Sequence, residues 1–438
     1  MSRAELVEAV NKYIWESTGA HSALTESAYA KYERGDVRCP GATYRDALRQ
    51  VLGCQSDAEL GFRPTPRGRH ASLEPDPPTV RNEDVFSLSN LISLPLQSEE
   101  ITRRTALGAA ATSILALGVS ETPAGRSSVN GQRYGLSDVA RVRAAIAGFS
   151  RKDQRHGGGH GRERVARYFL DDVQAMLNGR YANDATRRAM FSAASELAYL
   201  VGWMAFDDAD HAVAKKYFTT SVQLADEAND PAMAGHTLRA MAHQAVELEQ
   251  TRDALALAEA SVNGDRYRAA CARERSLLGV VHGRALAAAG LGGAAGATLL
   301  RAENDLRNAG ANGDEPGRVF FFSEASLAHE TGRALYASGD LKGAKAALAH
   351  SARARAKQPF ARTHAVTLGY LGEVQAATGN LDQACATWSD ALDAMAGVHS
   401  ARARQTVTTM RNALVHGRSA SPEMAELDQR AAAYLATV

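Results

Sequence analysis

The sequence predicts an all-α protein: a small N-terminal helical unit over 1–62, a linker over 63–135 and a long helical array over 136–438. Three observations predict it. From Asp138 onward, Ala/Leu/Arg/Glu-rich runs are broken only by short turns and no alternating strand pattern persists. Small residues recur along those runs at a regular interval. And Pro64, Pro66, Pro75, Pro77, Pro78 and Pro95 crowd into one stretch, which disfavours helix and strand alike.

With 438 residues, 45% of them hydrophobic and 23% charged, the chain is long enough for two or more folded units and excludes overall disorder. Cys39, Cys54, Cys271 and Cys385 lie far apart with no CxxC pair, so neither a disulfide framework nor a zinc site is expected, and a reducing cytoplasm fits. A net charge of +1 excludes a protein that coats nucleic acid indiscriminately.

In the N-terminal unit, Thr25-Glu-Ser-Ala-Tyr-Ala-Lys-Tyr-Glu-Arg-Gly35 reads as a short helix capped by Thr25 and stopped by a glycine. Its exposed turns should present Glu26, Ser27 and Lys31, with Ala28, Tyr29 and Tyr32 turned inward. Tyr44–Leu52 reads as the next helix and Gly61-Phe62 as its stop. Such a capped helix suits the recognition element of a helix-turn-helix, which meets base edges and phosphates from its N-terminal turns. Residues 1–70 carry ten Lys/Arg against nine Asp/Glu, so one copy should bind DNA weakly and a homodimer is expected.

The linker contains Ile101-Thr-Arg-Arg-Thr-Ala-Leu-Gly, which superficially resembles a twin-arginine export signal. Its position after a complete small unit argues against export. The apolar run that follows is shorter than the roughly 20 residues a membrane span needs. A short linker or docking helix near 103–119 is expected, and no membrane partner.

The helical array opens with expected helices at Asp138–Phe149, Arg162–Asn178 and Asp184–Phe206. A ladder then appears: Ala214, Ala254, Ala295, Ala344 and Ala384, spaced 40, 41, 49 and 40 residues apart by subtraction. Twelve residues before each stands Gly202, Ala242, Gly283, Gly332 or Gly372; seven after stands Ser221, Ser261, Ala302, Ser351 or Ala391. Four after stands Phe218, Leu299, Leu348 or Trp388, with Ala258 the exception. Antiparallel helices approach closely where small residues face each other, and the bulky residue is expected to fill the gap to the neighbouring pair. The offsets are similar to those of the tetratricopeptide repeat, predicting a right-handed TPR-like α-solenoid. The long interval holds Asn308–Gly317, a Gly/Asn/Asp/Pro loop that accounts for the extra residues.

The first helix of each pair should line the concave side. That places Glu196, Tyr199, Trp203, Phe206 and Asp207 inward, then His236, Arg239, His243 and Glu247, then Arg284, then His329, Arg333 and Tyr336, then Glu373. Charged, imidazole and aromatic groups repeated on one face suit a peptide or small-molecule ligand in an open groove, a chemical surface rather than a core. His156-Gly-Gly-Gly-His160 reads as a solvated turn, because a metal needs three or four firmly held ligands. Asp207, Asp208 and Asp210 read as helix-capping carboxylates. No GxSxG, Walker loop, HExxH or GxGxxG is present, so no catalytic residue, metal or cofactor is expected.

Taken together, the chain resembles the actinobacterial XRE-type helix-turn-helix regulators that carry a C-terminal tetratricopeptide-like domain. The resemblance runs through Arg3–Asn11, Tyr29–Gly35 with its Glu-Arg-Gly, Tyr44–Gly53, Asp57–Phe62, Arg103-Arg104, Arg155–Gly159 and Gly202-Trp-Met-Ala-Phe-Asp207. Two departures stand out. The chain begins inside the family pattern, so the first helix is expected upstream, or from another segment or a partner chain. Cys39 stands where the family tends to have tryptophan. The resemblance implies a transcriptional regulator that binds a double-stranded DNA operator as a dimer and senses a ligand through the array. It implies Thr25, Ser27, Tyr29 and Lys31 as the groove-facing set, Ser2, Arg3, Arg38 and Arg45 as phosphate contacts, and an internal ion pair between Glu33 and Arg34. A second reading is a TPR-type protein-interaction adaptor with a degenerate N-terminal unit that does not bind DNA.

Overall fold

The computed structural model describes residues 2–18, 24–33, 40–52, 54, 60, 132–310, 315–415 and 421–437. The chain divides into two units, Met1–Pro78 and Thr79–Val438. Both are helical, and among the described residues the only strands are Arg133–Tyr134 and Arg180–Tyr181, a two-residue parallel pair. The expected helix near 103–119 lies outside the described residues.

In the first unit, α1 (Arg3–Thr18), α2 (Glu26–Glu33) and α3 (Ala42–Leu52) enclose a small core. Leu6, Val7, Val10 and Ile14 recur at three- and four-residue steps, so they form one face of α1, which packs with Leu24, Ala47 and Leu48. Ser2 and Glu5 make a reciprocal capping box: the Glu5 amide donates to Ser2 Oγ (3.3 Å) and the Ser2 amide to Glu5 Oε2 (2.6 Å). Asn11 on α1 fixes the approach to α2 by donating to the Leu24 carbonyl (2.9 Å) and accepting from the Leu24 amide (3.2 Å).

The second unit opens with α4 (Leu136–His156) and a helical run α5 over 162–177, whose Tyr168–Val173 stretch is π-wound. Antiparallel pairs follow: α6 (Asp184–Asp207) with α7 (His211–Glu227), and α8 (Pro231–Glu247) with α9 (Thr251–Ser261). After the short α10 (Asp265–Ala269) come α11 (Ala272–Ala288) with α12 (Gly292–Arg307), and α13 (Glu324–Ala337) with α14 (Leu341–Ala354). Last come α15 (Ala361–Ala377) with α16 (Leu381–Ala394), and α17 (Ala401–Leu414) with α18 (Pro422–Thr437). By length and composition α6 could cross a membrane, yet 89% of its most apolar window is buried within the unit, which makes it a core helix.

One turn recurs through the array. Ala209, Asn229, Glu249, Gly290, Gly339 and Gly379 each take a left-handed conformation in the middle of a three-residue connection. The next amide then reaches back five residues, as in Asp210 N to Ala205 O (2.8 Å) and Asp340 N to Leu335 O (2.9 Å). Asp210, Asp230 and Asp340 cap the following helix by accepting from Val213, Met233 and Gly343. One residue therefore stops one helix and its neighbour starts the next.

The ladder of small residues packs within each pair. A methyl placed on Gly202 would lie 2.7 Å from the Phe218 ring, on Gly283 2.8 Å from Leu299, and on Gly332 2.7 Å from Leu348; on Gly372 it would collide with the indole of Trp388. The bulky residue thus sits on the glycine of its own pair, which corrects the expectation that it fills the gap to the next. In the second pair, Ala242 and Ala258 replace glycine plus bulk, and both are fully buried. Gly372→Ala should destabilise by about 1–3 kcal/mol through overpacking against buried Trp388. Gly296→Ala, on the open side of α12 with nothing within 4 Å, should stabilise by about 0.5–1 kcal/mol. Urea titrations of the two variants read both signs.

Helix α4 packs on α6 and also on α15. Both are first helices of their pairs, so α4 lies across the face those helices form. The turn after it is built in: the Gly159 amide donates to His399 O (3.0 Å), the His399 amide to His156 O (2.7 Å), and the Gly158 amide to Asp207 Oδ2 (2.8 Å). A side chain at Gly157 or Gly158 would collide with the backbone of His399 or Met204. This corrects in part the reading of His156–His160 as a solvated turn: Gly157 and Gly158 are buried and permit close approach, while Gly159 and His160 are exposed.

Candidate functional site

In the first unit Thr25 caps α2, accepting from the Ala28 amide at 3.2 Å, and Ser27 and Lys31 are exposed on its outer side. Tyr29 is half-buried against the core, edge-on to Tyr32 at 6.2 Å, so its inward placement holds and its place in a groove-facing set is corrected. Ser2 is committed to the cap of α1. Arg3 Nε donates to Glu33 Oε2 at 2.7 Å across the surface; the expected Glu33–Arg34 pair involves a residue outside the described ones. Arg45 is half-buried on α3, while Arg34 and Arg38 lie outside the described residues.

In the second unit the residues expected to face an open groove form a buried polar core. Tyr199, Glu196, His236, Arg239, His243, Arg284 and His329 are buried, and Trp203, Arg333, Tyr336 and Glu373 are half-buried. The expectation of a solvent-facing surface is corrected, because α4 and the segment 315–323 cover this face. Arg318 in that segment reaches Glu274 with Nε (2.7 Å) and Nη2 (2.9 Å), and stands 3.7 Å from Glu196.

The network has three parts. Around Glu274, His236 Nδ1 stands 2.9 Å from the carboxylate and Arg239 Nη2 lies 3.0 Å from both His236 Nε2 and the Tyr199 hydroxyl. Since a guanidinium only donates, His236 Nε2 must accept, which places its proton on Nδ1 and makes the ring neutral. Burial, with Arg239 beside it, pushes the His236 pKa down to about 4. Burial alone would raise Glu274, but Arg318 and His236 outweigh it and hold the carboxyl at about 2.

Around Arg284, Nη1 donates to Glu330 (2.7 Å) and Nη2 to Glu247 (2.8 Å), with His243 against the guanidinium and Arg402 3.9 Å from Glu247. Burial pushes the His243 and His329 imidazoles well below their ordinary range. Glu247 and Glu330 are held down by Arg284 against the opposing effect of burial. His329 Nδ1 lies 2.8 Å from the Thr367 hydroxyl, and Arg333 stacks on Tyr370 at 3.9 Å and pairs with Glu373 at 3.4 Å.

The third part ties the chain's beginning to its far pairs. Arg362 at the start of α15 bridges Asp153 of α4 (3.2 Å) and Asp207 of α6 (3.1 Å), all three buried. Burial pushes Asp153 up to about 6 against the pull of Arg362. Asp207 is therefore a core ion-pair partner, which corrects its reading as a cap, whereas Asp210 does cap α7.

Sequence reasoning missed Arg318, Glu274, Arg355, Arg362 and Arg402. One signal for the first was available: the apolar run Val319-Phe-Phe-Phe322 directly follows the Asn308–Gly317 loop, and so apolar a run argues for a buried segment beside it. Within the network a cavity of about 50 Å³ remains, walled by arginines, His243, His329 and the rings of Trp203 and Phe322. No family model, curated protein or solved structure matches this chain.

Proposed function

We propose that the protein is a DNA-binding transcriptional regulator: a helix-turn-helix unit at its N-terminus, and a right-handed TPR-like solenoid that senses a signalling ligand and dimerises. One observation carries the reading. On α2, Thr25 satisfies the first turn while Ser27 and Lys31 stay exposed on one side and Ala30 is buried on the other. A small unit holding a capped helix with its hydroxyl and cationic groups outward is equipped to enter a major groove. The near-neutral charge of this unit makes a single copy a weak binder, so two copies on a two-fold operator supply the affinity. The ladder Gly202/Phe218, Gly283/Leu299, Gly332/Leu348 and Gly372/Trp388 supports the solenoid reading.

The test is a mobility shift of the full chain on DNA from its own upstream region. Lys31→Ala combined with Ser27→Ala should weaken the shift at least tenfold, from a lost contact energy of about 1–3 kcal/mol per specific contact, with the helical circular dichroism unchanged. Binding that is insensitive to DNA sequence, or untouched by the double substitution, overturns the assignment.

A further inference from the structure

The cavity in the second unit is unbalanced in charge. Arg239, Arg355 and Arg402 line it, and each has an Nε–H with no acceptor among the described residues. Arg239 is 1% exposed and its hydrogen-bond partners among the described residues are neutral, the Tyr199 hydroxyl and His236 Nε2. Arg355 is 6% exposed and bonds only neutral oxygens: Ala325 O at 2.9 Å, Ser351 Oγ at 3.3 Å and Ser326 Oγ at 3.4 Å. Neither has a carboxylate within ion-pair distance among the described residues. Arg402 differs: Glu247 lies at 3.9 Å, and with Asp207 and Glu330 nearby its charge is favoured, so the imbalance rests on Arg239 and Arg355.

The carboxylate on the cavity wall, Glu330, is already committed to Arg284 at 2.7 Å. Arg362 is likewise committed to Asp153 and Asp207. Burying guanidinium groups without a counter-charge is costly, and burial pushes even the Arg355 pKa down to about 10. Arginine forks match oxyanions, which offer several acceptor lone pairs around one or two negative charges. The space of about 50 Å³ exceeds what a single water needs and suits a compact head group. It does not suit an extended peptide, because α4 and the segment 315–323 close over it.

We propose that the cavity walled by Arg239, Arg355 and Arg402 binds the oxyanion head group, phosphate or carboxylate, of a small molecule, with Trp203 and Phe322 beside its apolar part. This rests on the reading of the second unit as a ligand sensor and narrows that ligand to a small anion. Binding closes the charge imbalance and so ties α8, the end of α14 and α17 together through Arg239, Arg355 and Arg402.

The test uses the full chain without DNA, so it is separate from the success or failure of the operator assay. Thermal unfolding is followed against rising sodium phosphate in one arm and sodium acetate in another, each against sodium chloride at equal ionic strength. A saturable rise, about 5 °C at a hundred times the dissociation constant, is expected in at least one arm, and the tighter arm identifies the head group. Arg239→Gln, and separately Arg355→Gln, should weaken that binding tenfold or more by calorimetry. Wild-type protein stabilised no more by phosphate or acetate than by chloride overturns the proposal, whatever the variants do. So does a linear rise shared equally by the variants, which is the signature of exclusion from the surface rather than a site.

Discussion

Arg362→Met should cost the second unit about 3–5 kcal/mol, a large fraction of the stability an ordinary domain possesses. The guanidinium is the shared partner of Asp153 and Asp207, both essentially fully buried on different helices. Its removal leaves two carboxylates facing each other with only the more distant Arg402 as a counter-charge. Asp207 keeps the Gly158 amide at 2.8 Å, so Asp153 becomes the more exposed to the loss. Adding Asp153→Asn to Arg362→Met should therefore recover a substantial part of the loss, because one uncompensated charge is gone and the other retains an amide donor. Urea unfolding of the single and double variants at neutral pH reads both steps. An Arg362→Met protein as stable as wild type would mean that the α4 to α15 contact contributes nothing to the fold.

Acidification from pH 7 to pH 5 should loosen the second unit through its buried imidazoles. His236 is held neutral with a folded pKa of about 4, against about 6.5 in the unfolded chain. For a base with a depressed pKa the unfolded state takes the proton first. The stabilisation is therefore complete above about pH 6.5 and is lost as pH falls from there towards 4. Between pH 7 and 5 His236 alone accounts for about 2 kcal/mol. His243 and His329, shifted in the same direction, add to it.

Asp153 opposes this. Its pKa is raised to about 6, so its folded form gains relative stability as pH falls through that value, worth about 1 kcal/mol over the same interval. Glu196, also raised by burial, acts in the same sense as Asp153. His211, His282 and His364 are lowered by burial as well, and Asp226 is raised, so the more numerous histidines leave a net loss. His236→Asn retains one donor for Glu274 and one acceptor for Arg239 but cannot titrate, so it should flatten the pH dependence by about the His236 share. Urea midpoints measured at pH 7 and pH 5 decide it; a midpoint that rises on acidification contradicts the buried-neutral assignment.

The polar core shows how far sequence periodicity reaches and where it stops. His236, Arg239, His243, Arg284, His329 and Arg333 were legible as one set because helical geometry repeats them along the same face. Their solvent exposure was misread, since that same periodicity is produced by a groove and by a covered interior. The partners that cover and neutralise them come from elsewhere in the chain. Arg318 lies just past the Asn308–Gly317 loop, where no helical period marks it, and Arg362 meets a residue of the opening helix. Thr363 reaches Gln154 across 209 positions of sequence, a contact with no local signature. In the first unit, Thr25 as a cap followed from residue type and position, whereas the Arg3 to Glu33 pairing depended on how α1 and α2 lie together.

The sequence by itself determined that this protein is all-α, where its helices turn, and which glycines and alanines let paired helices approach, because these follow from interactions over a few residues or one hairpin. Only the tertiary structure decided that the face of the first helices is covered and that its charges are mostly paired inside. It also decided that Arg239 and Arg355 line a cavity with no carboxylate of their own within ion-pair distance among the described residues. Charge compensation in a low-dielectric interior depends on which distant side chains meet, and that is set by the return of α4 and the segment 315–323 onto the array rather than by any spacing along the chain.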